Sequence, residues 1–348
     1  VSAPAESTLV LRVAALRRAR SRRRARLGVG LLALLAAGVA LTLSLGQSLT
    51  PPLEVLRALS GEDVPGASFA VRELRLPRAV LSILAGMSFG LGGAAFQIML
   101  RNPLASPDII GISSGASAAA VFAIVVLGWS GTAVSVLAVA AGLGVALAIY
   151  LLSWRGGVAG PRLILIGIGV SAMLDSVIAY VLSQAPAWTM QEALRWLMGS
   201  VNGATLEQSQ PVLVSLLFFG GLLLSRRRDL EAMRVGDDGA AALGVAIGRT
   251  RALVVVAAVG MIAVATAVSG PIAFVAFLSG PIAARVMGPE RSPLLPAALT
   301  GALLVLFADH AGQFLLPARY PVGIVTGALG APYLLYLIVR TNRTGGMA

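Results

Sequence analysis

The 348-residue chain has no cysteine, no lysine and a single histidine, and only 12% of its residues are charged. Without cysteine there is no disulfide, no thiolate zinc site and no cysteine nucleophile. One histidine cannot supply the paired side chains of a metal relay or a buried catalytic cluster, so a membrane-embedded enzyme is disfavoured and no metal site is expected. The missing lysine is the residue with which a Walker A loop reaches the terminal phosphates, so the chain does not hydrolyse ATP by itself in the usual way. Short alternating segments of the kind that build a transmembrane β-barrel are also lacking.

What is present is apolar. Hydrophobic residues make up 57% of the chain and the mean hydropathy is +0.88, too high for a soluble domain of this length. Stretches able to cross a bilayer recur at 27–47, 77–99, 112–128, 132–152, 162–183, 208–225, 252–269, 271–287, 294–310 and 322–340, each bounded by charges or Gly/Pro clusters. The fold class expected is therefore an all-α polytopic membrane protein of about ten transmembrane helices.

All 27 basic residues are arginine and the net charge is +12. These arginines flank apolar spans, which argues against nucleic-acid binding. Residues 1–26, with Arg17, Arg18, Arg20, Arg22, Arg23, Arg24 and Arg26, precede an apolar run longer than a signal-peptide core, so they read as a basic cytoplasmic tail before a first span. With that end inside, 21 arginines fall on the cytoplasmic side and six outside. The positive-inside rule then places both termini in the cytoplasm, residues 27–342 in a multi-pass membrane domain, and 343–348 in a short cytoplasmic tail.

Three segments face outward, at about 48–76, 184–207 and 311–321. The middle one carries Gln191 to Gly199 with Trp188 and Trp196, suited to a short interfacial helix. Small residues crowd the spans, as at Gly86, Gly90, Gly92, Gly93, Ala94 and Ala95, and again at Gly167, Gly169, Ser171 and Ala172. Most serve close helix packing and a minority line a pathway. Gly270-Pro-Ile-Ala is echoed by Gly280-Pro-Ile-Ala, and proline at both points is expected to make the backbone irregular near the outer end of one short span. The clear mid-span acid is Asp175, with Asp309 and His310 near the outer end of the ninth span. Asp175 reads either as the coupling carboxylate of an ion-driven secondary transporter or as an acid satisfied by a neighbouring helix or a watery cavity.

The inner loop of about 226–251 contains Gly236-Asp237-Asp238-Gly239-Ala240-Ala241-Ala242-Leu243-Gly244. Either aspartate can cap a short helix that Gly244 ends, giving a compact knob or simply an ordinary connection. Three further segments stand out: Arg75-Leu-Pro-Arg78 with Gln97 through Arg101-Asn102-Pro103-Leu104 to Pro107; Gly111-Ile-Ser-Ser-Gly115-Ala116; and the run from Gly270 through Gly288-Pro-Glu-Arg291, Leu294-Leu-Pro296 and Pro321-Val-Gly323 to Gly330-Ala-Pro332. With the inner loop they cover most of the chain, and together they resemble the FecCD-type permeases of iron-siderophore and vitamin B12 importers, the membrane subunits of type II ATP-binding-cassette (ABC) importers. The chain departs from that pattern at Pro281-Ile282, where relatives often have Pro-His, and at Arg319-Tyr320-Pro321, where Glu-Leu-Pro or Glu-Ile-Pro is common.

The resemblance implies a transporter subunit that binds no cofactor itself. ATP and Mg would sit on two partner ATPases, which receive the knob formed by Gly236, Asp237, Asp238, Gly239, Ala240, Ala242, Leu243 and Gly244. An extracytoplasmic substrate-binding protein would dock its glutamates on Arg75 and Arg78, whose forked guanidinium groups suit carboxylates; a lipid-headgroup anchor is the plainer reading of the same two residues. A second permease, a non-identical one on the strength of Ile282 and Arg319, would complete the channel in the bacterial cell membrane. Asn102, Leu104, Gly160 and Pro161 fall at cytoplasmic gate positions, although Pro161 also suits a simple helix start. Met87, Ser171, Met173 and Asp175 are candidates for lining the pathway. The cargo implied is a metal chelate, a ferric siderophore before haem or cobalamin.

Overall fold

The computed structural model describes residues 3–153, 160–288 and 293–345. In chain order the helices are α1 (Ala3–Ser44), α2 (Pro52–Ser60), α3 (Ala70–Leu100), α4 (Ile112–Val125), α5 (Thr132–Ser153), α6 (Gly160–Ser183), α7 (Ala187–Leu197), α8 (Leu206–Ser225), α9 (Arg227–Met233), α10 (Asp237–Ala242), α11 (Ile247–Ser269), α12 (Val275–Met287), α13 (Leu294–Phe314) and α14 (Val322–Gly345). Every one of the ten expected spans coincides with a helix. Seven of them, α1, α3, α5, α6, α8, α11 and α13, are long and apolar enough to cross a membrane. The apolar parts of α4, α12 and α14 are shorter. The arginine-rich segment continues the first span as one helix, because alanine, leucine and arginine are strong helix formers and no proline interrupts them between Ala5 and Ser44.

Helix α3 is the axis of the bundle. A Cβ added at Gly86 would run into the backbone of Gly301, one at Gly90 into the carbonyl of Ala297, and one at Gly93 into the carbonyl of Ala276. Gly92 receives the side chain of Ile262. The glycines thus seat α13 and α12 at backbone distance on one face and admit a side chain of α11 on another, where dispersion and close packing replace the hydrophobic effect that lipid cannot supply.

The two Gly-Pro-Ile-Ala copies behave differently. The first is non-helical: Gly270 has φ +69° and Phe274 φ +64°, so α12 begins only at Val275. Here three segments meet backbone to backbone. Gly270 abuts the carbonyl of Trp196, Gly199 abuts that of Pro271, and Gly323 abuts that of Met198, with Gly323 N–H donating to the Gly199 carbonyl at 3.2 Å. The second copy lies inside α12, where the helix runs through Pro281. Proline there removes the amide that would have bonded to the carbonyl of Phe277, four residues back. That carbonyl instead accepts from Gln97 Nε2 on α3 at 2.9 Å, and Gly280 leaves the room the Gln97 amide occupies. A proline expected to disrupt the backbone is thereby tolerated.

Helix α7 starts at Ala187, after Pro186, rather than near Gln191. Trp188 is 74% exposed, while Trp196 packs inward against the cluster formed by α4, α5 and α7, so only the first suits a membrane interface.

Replacing Gln97 by Leu leaves the Phe277 carbonyl buried and unmet. It is expected to cost about 1–3 kcal/mol, seen as a lower melting temperature of the detergent-solubilised protein. Pro281→Ala restores the intrahelical partner and is expected to remove most of that loss when the two changes are combined.

Candidate functional site

At the outer end, three arginines of the first turns of α3 are drawn into the structure. Arg75 sits where α1 ends and its last carbonyls have no helical partner. Its guanidinium donates to the carbonyls of Leu43 (2.7 Å), Ser44 (3.1 Å) and Ser48 (2.8 Å) and to Thr50 Oγ1 (3.0 Å). Arg72, which belongs to no motif singled out above, closes α2 in the same way through the carbonyls of Ala58 and Glu62. Arg78 donates through Nη2 to both carboxylate oxygens of Asp309 on α13, at 2.8 and 2.7 Å. The side chains of this pair are 15% and 4% exposed.

In the middle of the bundle, α6 leaves one face open. Leu165, Met173 and Tyr180 are each about 70% exposed, and Asp175 is exposed toward the other edge of the same helix. Ser171 turns the other way, toward the turn at Gly111, its hydroxyl buried without a partner. Met87 is packed against the main core on α3. The four expected pathway residues therefore occupy separate places: Met173 and Asp175 are both exposed on α6 but two residues apart, so they point in different directions.

The inner end is built on the residue that follows α3. Arg101 terminates the helix in the left-handed conformation, φ +50°, and its N–H bonds back to the Ile98 carbonyl at 3.2 Å. Asn102 then closes a turn, its Oδ1 accepting from Leu104 N–H at 2.9 Å, and Leu104 packs with Phe277 and Leu337. Gly160 and Pro161 open α6, and their surroundings lie outside the described residues. A cavity of about 290 Å³ opens beside this turn, lined by Gln97, Arg101, Asn102, Arg234 and Gly280 among others. Asp108, also unforeseen, is half-buried just beyond, accepting from the hydroxyls of Ser113 (2.6 Å) and Ser106 (3.2 Å). Burial pushes its carboxyl upward from the usual range, and the two hydroxyls partly offset this.

The loop below folds as a knob of two short helices, α9 and α10. Gly236, at φ +115°, is the residue before α10. Neither aspartate caps the helix as expected. Asp237 and Asp238 lie in its first turn, favourable to the helix dipole, and Asp237 accepts instead from Arg251 on α11 at 2.7 Å. Gly244, at φ +84°, follows the end of α10 as foreseen. Val235 and Leu243 are 76% and 70% exposed, so the knob presents apolar side chains where a bare loop would present polar ones.

Residues 34–340 match the FecCD transport family. The chain belongs to that family. Among its relatives is the ferric enterobactin transport system permease protein FepG of Escherichia coli (strain K12), 42% identical over 294 residues, or 83% of this chain and 88% of that protein. The achromobactin transport system permease protein CbrC of Dickeya dadantii (strain 3937) is 40% identical over 320 residues, 90% of this chain and 91% of that one. A solved structure described as an inward-facing conformation of a metal-chelate type ABC transporter superposes with a TM-score of 0.79 at 26% identity, covering 91% of this chain and 99% of that chain. As a FecCD-family chain, the protein is a multi-pass membrane permease subunit, a transporter and not an enzyme.

In this FecCD chain the Arg78–Asp309 pair joins two neighbouring helices in an apolar setting. Asp309→Leu strands the Arg78 guanidinium and is expected to cost about 3–5 kcal/mol, whereas Arg78→Met combined with Asp309→Leu is expected to recover most of the loss. Thermal melting of the four proteins of this cycle measures it.

Proposed function

We propose that this chain is the membrane-spanning permease of an ATP-driven importer that takes up a ferric siderophore. The observation carrying this reading is the likeness, over 83% of the chain, to a permease named for ferric enterobactin transport, joined by a second named for achromobactin transport. The absence of cysteine and the single histidine agree with iron that enters already chelated and needs no protein ligands on the way.

A separate ATPase, which binds the ATP and Mg, takes the knob of residues 226–251. The exposed Val235 and Leu243 support this, since apolar side chains on a cytoplasmic projection are best used against a partner. A second permease, related but not identical, covers the open face of α6. Asp175, exposed on the same helix, supports it, because a carboxylate held against lipid is expensive and one beside a watery pathway between two subunits is not. Asn102 and Leu104, together with Gly160 and Pro161, form the inner gate.

The binding protein docks at the outer ends of α1 and α3, around Arg75 and Arg78. Both guanidinium groups are partly spent on internal bonds, so the glutamates they receive would share donors with those bonds.

The test is uptake of radioiron-labelled ferric enterobactin by liposomes holding the chain with its co-expressed second permease and ATPase, with binding protein supplied outside. Uptake is expected to require both ATP and the binding protein. Uptake by liposomes holding this chain alone, driven by a proton gradient and abolished by Asp175→Asn, would establish a secondary transporter instead. Docking is checked by exchanging charges: Arg75→Glu is expected to abolish stimulation of ATP hydrolysis, and a glutamate-to-arginine change on the binding protein is expected to restore part of it.

A further inference from the structure

Leu230, Met233 and Ala240 pack the knob into the main core, and beside that packing one charged contact between the knob and the membrane domain is half made. Asp237, the first residue of α10, stands between two arginines. Its Oδ2 is bonded to Arg251 at 2.7 Å. Its Oδ1 is buried and has no hydrogen-bond partner, and a second cation, Arg101 Nη2, stands 3.8 Å from it. A buried carboxylate oxygen without a donor is costly, and a guanidinium just beyond hydrogen-bond reach is the group that would relieve it. The neighbouring Gly236 holds φ +115°, a conformation that favours glycine, and lies against Arg101 Nη1.

Arg101 is placed to report on that contact. It is the residue that ends α3 in the left-handed conformation, and its peptide leads directly into the Asn102–Leu104 turn. The Arg101 side chain is 48% exposed, so it can move, whereas Arg251 is 18% exposed and packed at the base of α11. The two sides of Asp237 are therefore unequal, one anchored and one adjustable.

We propose that Asp237 and Arg101 are positioning residues that pass movement of the knob to the inner end of α3. Pressing α10 toward the membrane closes the 3.8 Å gap; the completed ion pair then pulls on Arg101 and, through its peptide, on the Asn102–Leu104 turn. Releasing the knob reopens the gap. This rests on the reading of residues 226–251 as the ATPase contact.

The test uses the assembled complex with full-length chains. Arg101→Gln and Arg101→Lys face the same left-handed backbone, so comparing them separates charge from backbone strain. Two readouts are taken: iron delivered per ATP hydrolysed, with radioiron-labelled ferric enterobactin, and the nucleotide-dependent distance change between spin labels at Ala241→Cys and Pro103→Cys, placed in a chain that has no cysteine of its own. Arg101→Gln is expected to keep the ATPase bound and hydrolysing while iron per ATP falls roughly three- to thirty-fold and the distance change is lost. Arg101→Lys is expected to restore most of both. Asp237→Asn added to Arg101→Gln is expected to cost little more, because the two residues act as one unit. A wild-type distance change and a wild-type ratio in Arg101→Gln would overturn the proposal. Failure of any ATPase to co-purify with the wild-type chain would instead overturn the reading of the knob. The distance measurement needs nucleotide and ATPase alone, so it decides the matter whichever chelate is carried.

Discussion

The structure depends on how closely other helices approach α3. At Gly86, Gly90 and Gly93 the neighbouring backbones occupy the space a Cβ would need. In water such contacts would be reinforced by expelling solvent from apolar side chains, but within lipid that gain vanishes and proximity itself has to supply the attraction. The central helix is therefore almost bare on its packing face, and α11, α12 and α13 are positioned by contact with its backbone.

Close packing of that kind leaves little room for polar groups, and two of the buried ones on α3 are matched to a partner on a neighbouring helix. Gln97 supplies the donor that Pro281 removes, and Arg78 and Asp309 neutralise each other between α3 and α13. Each pairing joins α3 to a neighbour already seated on its glycines, so polar bonds fix a rotation and register that packing alone would leave loose. In the function proposed above, both ends of α3 also carry the surfaces used for transport: the outer arginines stand in its first turns, and Arg101 and Asn102 follow its last. A rigid axis with adjustable ends suits a protein whose middle must stay sealed while its ends respond to partners.

Much of this was legible in the sequence. Ten apolar stretches bounded by charges and Gly/Pro clusters gave ten helices in the expected places, because a helix that must satisfy its own backbone within lipid needs a long uninterrupted run of apolar residues. Gly244 announced the end of α10, and Pro186 fixed the start of α7 four residues ahead of expectation. The two Gly-Pro-Ile-Ala copies marked special backbone, but only the first broke the helix. Nothing local distinguishes them, since the difference lies in whether Gln97, far away in sequence, reaches the orphaned carbonyl.

By itself, then, the sequence determined the membrane location, the helical class, the number of apolar segments and the family, all of which follow from composition, local periodicity and local motifs. Only the tertiary structure decided what the charged residues do. Arg72, Arg75 and Arg78 look alike along the chain, yet two cap helix ends and the third pairs with an aspartate 231 residues away. Asp237, expected to cap its own helix, reaches Arg251 and faces Arg101 instead. Such roles depend on which long side chain meets which distant partner, and local sequence carries no record of that because the partners are brought together only when the bundle packs.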